Sequence, residues 1–141
     1  MSQENVETLR RNNAAFNRRD RDGAFAGYHH DVEWRQLQHA PDTPERLNGV
    51  SAVLANWDQW EAAFDDFGAD IEEYIDGGAY VLAVTRWRAT GRDSGVAIDL
   101  RTVDVFEFAD GKIVRATIGY SDKDAALADL GLAPDGGSPD S

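Results

Sequence analysis

Hydrophobic residues recur every three or four positions in the first part of the chain, which is the spacing of a helix with one buried face. A first helix is predicted over residues 3–19, and a short second helix that begins at Asp20 or Asp22 carries Phe25 and Tyr28. A third helix follows Gly49, and its apolar stripe consists of Val50, Val53, Leu54, Trp57, Trp60 and Phe64.

The spacing changes to every second position after Gly68, which is typical of strands. Strands are predicted over residues 32–37, 71–76, 80–90, 96–108 and 112–120, with glycine-containing turns between the later ones. Asp122 then caps a short last helix, which Gly131 ends. Helices followed by a run of antiparallel strands predict one α+β domain over residues 1–132. Residues 133–141, rich in Pro, Gly, Asp and Ser, predict a disordered tail.

The charge of the chain excludes some classes of partner. Its 141 residues carry 26 acids against 14 bases, a formal net charge of −12 that is spread along the sequence. Nucleic acids and anionic membranes are bound by clusters of Lys and Arg, so neither is expected as a partner. The absence of cysteine excludes disulfides and thiolate chemistry. We find no signal peptide and no apolar run of 18 residues, and therefore expect a cytoplasmic protein.

One acidic side chain is predicted to point into the core. Alternation along its strand puts Asp104, Phe106 and Phe108 on one face, and Val105 and Glu107 on the other. An acid among aromatic rings costs free energy unless it is paired, protonated or functional. Asp104 is therefore the first candidate for a functional residue.

The opposite face of the predicted sheet combines charged residues with five aliphatic ones, which are Leu82, Val84, Val103, Val105 and Ile113. These five side chains would form a sizeable apolar patch on an open sheet. We expect a second copy of the chain to cover it, which would make the protein a homodimer through this face. Cover by the chain's own ends is the alternative.

Several segments, taken in order, resemble the SnoaL-like branch of the nuclear transport factor 2-like superfamily, which includes ketosteroid isomerases and polyketide cyclases. They are Asn-Arg-Arg-Asp-Arg-Asp-Gly at 17–23, His-Asp-Val-Glu-Trp at 30–34, and the stretches 75–84, 104–113 and 122–131. The resemblance implies a curved antiparallel sheet wrapped around three N-terminal helices, a cystatin-like cone with a cavity open at one end. It does not imply one reaction, because this fold hosts many activities.

The implied cavity has a mostly aromatic lining with a few polar groups, the usual profile of a site for a small apolar or aromatic molecule. From the helices, the expected lining residues are Asn12, Phe16, Trp57 and Trp60. From the sheet, they are Trp34, Gln36, Ala83, Thr85, Trp87, Thr102, Asp104, Ile118 and Tyr120.

The resemblance also implies a role for Asp104. It lies where ketosteroid isomerases place an acid that donates a hydrogen bond to a developing oxyanion. Asp104 would then serve as general acid or oxyanion donor, with Tyr120 as a second hydroxyl and with a pKa raised by burial. A buried acid with only a structural role is the alternative. The isomerases' base aligns with Gln36, their helix-one tyrosine with Asn12, and the last-strand acid of SnoaL-type cyclases with Ile118.

The three histidines are the remaining candidates for a base. His39 lies in the polar loop 38–48, which could close over the cavity as a lid. His29 and His30 are adjacent and should face different ways. No spacing puts two histidines on one face, so we expect neither a metal site nor a cofactor.

Three functions remain open at this point. The first is a small-molecule-binding domain without strong catalysis. The second is a cyclase, isomerase or dehydratase that uses Asp104 and needs no metal. The third is an interaction module whose dimeric sheet face is its purpose.

Overall fold

The computed structural model describes residues 2–37 and 45–131 and contains two helices, two strands, a third helix, four strands and a last helix, in that order. Within these residues the helices are α1 (Ser2–Asn17), α2 (Arg21–Ala24), α3 (Val50–Ala63) and α4 (Lys123–Asp129). The strands there are β1 (Tyr28–Gln36), β2 (Arg46–Asn48), β3 (Phe64–Asp76), β4 (Tyr80–Gly91), β5 (Ala97–Ala109) and β6 (Lys112–Tyr120). No helix in the described part of the chain is long and apolar enough to cross a membrane. The predicted α+β class is confirmed. The predicted tail, 133–141, and residues 38–44 of the predicted lid lie outside the described residues.

The strands form one sheet in the order β2-β1-β6-β5-β4-β3. Neighbouring strands are antiparallel except β1 and β6, which run parallel. The sheet is thus mostly antiparallel, as predicted, and β1 with β6 is its one parallel pair among the described residues. A parallel pair needs a long connection between its strands, and α3 with the β3–β5 meander provides it.

Strand β2 lies within the predicted loop 38–48, and at two further places a strand begins inside a predicted helix. Tyr28 is the first residue of β1 and pairs with Ile113, so it does not continue the second helix. α3 ends at Ala63, and Phe64 already belongs to β3, where it pairs with Gly91. In both places pairing with a distant strand overrides the local helical pattern.

The inner core lies between α1 and the face of the sheet that carries Asp104. Its fully buried residues are Leu9, Val32, Val81, Ala83, Phe106, Phe108, Ile113 and Ala116. Ile113 was predicted on the opposite face. A register shift between Glu107 and Phe108 turns it inward, where it is completely buried.

The opposite, outer face of the sheet is covered by α4. Leu82, Val103 and Val105 are at most 5% exposed, and they pack with Tyr120 and Ala126. Asp122 caps α4 as predicted, by accepting a hydrogen bond from the amide of Ala125 at 2.8 Å. The chain's own C-terminal part thus covers the patch from which a dimer was predicted. The homodimer stays a prediction, and an exposed apolar patch on this face no longer supports it.

Candidate ligand-binding site

A cavity of about 290 Å³ lies between α3 and the inner face of the sheet. Among the described residues its aromatic lining consists of Phe16, Phe25, Trp34, Trp57, Trp60, Phe67 and Trp87. The aliphatic lining is Val53, Ala89, Ile98, Leu100 and Ile118, and polar groups come from Gln36, Asn56, Arg88, Thr102 and the Gly119 backbone. We call this space the outer cavity. Its composition is that of a site for a small organic ligand.

A smaller space of about 70 Å³ adjoins the outer cavity deeper in the fold. The two spaces share Phe16, Phe25, Trp34, Trp87 and Ile118 as walls. Only the deeper space is lined by Asn12, Tyr28, Thr85 and Asp104, together with Leu9, Asn13, Ala24, Ala69, Ile71 and Phe106. We call it the inner chamber.

Asp104 is held in the wall of the inner chamber by hydrogen bonds to one of its oxygens. Oδ1 accepts from the Thr102 hydroxyl at 2.8 Å and from the amide of Gly119 at 3.0 Å. The side chain is 1% exposed. Burial raises its pKa from 3.8 to about 6, and hydrogen bonds from Thr102, Thr85 and Gly119 oppose that rise. The predicted direction of the pKa change agrees with this environment.

The amide of Gly119 reaches Asp104 because β6 has an extra residue at this point. Val105 pairs with Thr117 and Val103 pairs with Tyr120, so Ile118 and Gly119 both lie opposite Asp104. Such a bulge leaves one residue out of the ladder and reverses the alternation of side chains beyond it. Gly119 adopts a φ of 110°, which favours glycine.

A short chain of hydrogen bonds connects the inner chamber to the outer cavity. The indole Nε1–H of Trp87 donates to the Thr102 hydroxyl at 3.0 Å, and that hydroxyl donates to Asp104. Thr102 lines the outer cavity, whereas Asp104 lines the inner chamber. Thr102 thus connects the lining of the outer cavity to Asp104 through one hydrogen bond.

Eleven of the thirteen predicted lining residues line one of the two spaces, and two do not. Ala83 lies in the inner core, where Leu9 and neighbouring apolar residues cover it. Tyr120 lies on the outer face, because the bulge at Gly119 reverses the alternation. Its hydroxyl donates to Asp129 and accepts from Arg35 at 3.3 Å. The prediction that Tyr120 provides a second hydroxyl beside Asp104 is therefore wrong.

Tyr28, and not Tyr120, is the tyrosine that lines the inner chamber. Burial, with a smaller contribution from the charge of Asp104, raises the pKa of Tyr28 well above its ordinary value. The signal for it was available in the sequence. Tyr28 has the same strand parity as Trp34 and Gln36, but it was assigned to the second helix.

Three buried polar atoms in these walls have no hydrogen-bond partner within the described residues. They are Oδ1 of Asn12, Nε1 of Trp34 and Nε1 of Trp57. At the other polar place in the outer cavity, the amide of Asn56 donates to Oε1 of Gln36 at 2.9 Å. Gln36 is thus held as a hydrogen-bonded amide at the position of the isomerases' base.

The histidines do not line either space as far as the chain is described. His29 and His30 stack with ring centroids 4.6 Å apart, so the expectation that they face different ways is wrong. Nδ1 of His29 accepts from the amide of Asp31, and Nε2 of His30 lies 3.2 Å from a carboxylate oxygen of Asp31. His39 is outside the described residues.

Comparisons with known proteins bear on the fold and the family. The SnoaL-like domain profile matches residues 9–116, which is more than half of the chain. No curated protein sequence matches significantly. The structure is similar to an NTF2-like protein of unknown function from Burkholderia pseudomallei K96243, at 25% identity and a TM-score of 0.73, covering 87% of this chain and 92% of that chain.

Two further solved structures share the fold at lower identity. One is TerC co-crystallized with polyporic acid, at 22% identity and a TM-score of 0.75, covering 90% of this chain and 97% of that chain. The other is a hypothetical protein with a ketosteroid isomerase-like fold from Catenulispora acidiphila DSM 44928 in complex with trimethylamine. It is 15% identical with a TM-score of 0.69, covering 92% and 95% of the two chains. The resemblance seen in the sequence is confirmed: this chain belongs to the SnoaL-like domain family and has an NTF2-like fold.

Proposed function

We propose that this protein binds a small, planar aromatic molecule in the outer cavity, with one end of the ligand directed toward the inner chamber. The observation that carries this proposal is the cavity of about 290 Å³ with its aromatic lining. Ligand sites are typically concave and mostly apolar, with few polar groups, and begin at about 300 Å³. The outer cavity fits that description at its lower size limit, which favours a ligand of one or two fused rings.

The orientation of the rings supports a flat ligand. Trp60 and Phe67 are stacked with an interplanar angle of 13°, and Phe67 and Trp87 with one of 17°. Their centroids are 5.6 Å and 6.4 Å apart, respectively. Nearly parallel rings present faces and edges that suit offset stacking with another aromatic ring. TerC with polyporic acid is an example of a protein of this fold crystallized with a small organic molecule.

An acid-catalysed reaction of the bound molecule is the second candidate function. Asp104 favours it, because a buried carboxyl with a pKa of about 6 can donate a proton near neutral pH. Such an enzyme would be an isomerase, cyclase or lyase in which Asp104 acts as general acid or oxyanion donor. Gln36 cannot act as its base. An interaction module has less support, since α4 covers the apolar part of the outer face.

Binding can be tested by filling the outer cavity. Ile98 lines the cavity, whereas Val96, two residues away, is 62% exposed. Ile98→Trp should abolish binding of 2-naphthol in isothermal titration calorimetry, because the larger side chain takes up the space. Val96→Trp is the matched control and should bind 2-naphthol like the wild type. Equal binding by the two variants would place the ligand elsewhere and contradict the proposal.

The same assay separates binding from catalysis. Asp104→Asn preserves the shape of the side chain but cannot donate an acidic proton. A pure binding protein should therefore retain its ligand in this variant. If a converted substrate is found, loss of about a hundredfold or more in its turnover by Asp104→Asn, with binding retained, would support general acid catalysis. Unchanged turnover would exclude that role.

A further inference from the structure

The side chain of Asn12 offers the inner chamber an acceptor that has no donor. Nδ2 donates to the carbonyl oxygens of Gly23 and Ala26, each at 2.9 Å. Both partners are acceptors only, so the amide cannot be turned around without placing oxygen against oxygen. This fixes the nitrogen on the side of α2 and leaves Oδ1 as the remaining polar atom of a side chain that lines the inner chamber.

Oδ1 of Asn12 is buried, and no described residue donates to it. The whole residue is 6% exposed. Buried polar atoms in proteins nearly always have a hydrogen-bond partner, because losing contact with water otherwise costs free energy. An unpartnered acceptor on a residue that lines a cavity therefore indicates that a molecule bound in the cavity supplies the hydrogen-bond donor.

Among the described residues, no other polar side chain of the inner chamber, that of Tyr28 included, donates to Oδ1 of Asn12. Oδ1 of Asp104 is itself an acceptor and already takes the hydroxyl of Thr102 and the amide of Gly119. No Lys or Arg is present among the described residues that line the chamber. At pH values above its pKa of about 6, Asp104 is ionised, and its carboxylate is a second acceptor in the chamber.

The size of the inner chamber limits what the donor can be. About 70 Å³ is too small for a ring system, and it corresponds to roughly two water molecules at about 30 Å³ each. A hydroxyl group fits, while the ring that carries it can remain in the outer cavity. Phe16, Trp34 and Trp87 form walls of both spaces, so one ligand can lie against them and reach both.

We propose that the ligand is a hydroxylated aromatic molecule, a phenol or naphthol, whose hydroxyl enters the inner chamber and donates a hydrogen bond to Oδ1 of Asn12. This rests on the proposed function and specifies its ligand class. Aromatic hydrocarbons and methyl ethers have no such donor. They leave Oδ1 of Asn12 unpartnered and should bind more weakly.

The test compares two probes of nearly the same shape by calorimetry, 2-naphthol and 2-methoxynaphthalene. The wild type should bind 2-naphthol at least about tenfold more tightly, which is the effect of one well-formed hydrogen bond, about 1.4 kcal/mol. Asn12→Leu should reduce that ratio to near one. Asn17→Leu is the matched control, the same substitution on α1 at a side chain that lines neither space and bonds to the backbone of Ala69, and it should keep the ratio.

Asn12→Leu also removes the bonds to Gly23 and Ala26 and can destabilise the fold. A second measurement therefore uses the wild type, in which the side-chain amide resonances of Asn12 are followed by NMR. 2-Naphthol should shift them more than 2-methoxynaphthalene does. A larger effect of the ether would overturn the proposal, as would tighter binding of 2-naphthylmethylammonium, which would assign the chamber to a cation.

The outcomes separate the two proposals. Equal affinity for 2-naphthol and 2-methoxynaphthalene, both lost in Ile98→Trp, would overturn the hydroxyl assignment and leave aromatic binding in the outer cavity intact. Absence of binding by every naphthalene probe would overturn both.

Discussion

The free energy of unfolding of the variant Asp104→Asn should increase relative to that of the wild type as the pH rises from 4 to 7. Asn is neutral at every pH and nearly the same shape, so the variant isolates the ionisation of this one carboxyl. Asp104 is fully buried, and burial raises its pKa from 3.8 to about 6.

The direction and size of this change follow because folded Asp104 binds its proton more tightly than unfolded Asp104 does. Below pH 3.8 the carboxyl is neutral in both states and burial of its charge costs nothing. Between 3.8 and about 6 the unfolded chain ionises while folded Asp104 stays protonated, so wild-type stability falls. Above about 6 both states are ionised and the loss is complete. The interval between the two pKa values corresponds to about 3 kcal/mol.

The measurement is urea unfolding at half-unit steps of pH, followed by tryptophan fluorescence. The unfolding free energy of Asp104→Asn minus that of the wild type should increase by about 2.5 kcal/mol between pH 4 and pH 7, because the unfolded carboxyl is already partly ionised at pH 4. Asp99→Asn is the matched control on the same strand. Arg86 holds the pKa of Asp99 below its ordinary value of 3.8, so this carboxyl is ionised in both states over most of the range, and the difference for Asp99→Asn should change little between pH 4 and pH 7. A flat difference for Asp104→Asn would refute a raised pKa.

Three further substitutions test contacts and backbone geometry in the sheet that forms the wall of the site. Tyr120→Phe should cost about 1 kcal/mol, because the hydroxyl bonded to Asp129 is lost, and an unchanged urea midpoint would contradict that contact. Gly119→Ala should cost on the order of 1–3 kcal/mol, because an alanine is strained at a φ of 110°, and a wild-type midpoint would show that the bulge tolerates a side chain. Leu82→Ala, under α4, should cost about 2–5 kcal/mol and clearly more than the half-buried Val84→Ala. Equal losses would argue against cover by α4.

The inward direction of Asp104 could be predicted from the sequence, because alternation along a strand is a local property. The same rule failed for Tyr120, where one extra residue in β6 reverses the alternation. That bulge exists only in relation to β5, so its position is set by pairing between strands and not by β6 alone. Tyr28 was missed for a related reason. Its neighbours favour a helix, but pairing with β6 extends β1 to include it.

The sequence by itself determined the order of the helices and of every strand except β2, the aromatic character of the cavity and the inward acid, since each depends on periodicity or composition. The tertiary structure decided the depth and division of the cavity, the partner of each polar atom and the cover of the outer face. These depend on distances between residues far apart in the chain, such as Asn12 and Asp104. Local patterns carry no information on them, because packing and strand register are fixed only when the whole sheet has formed.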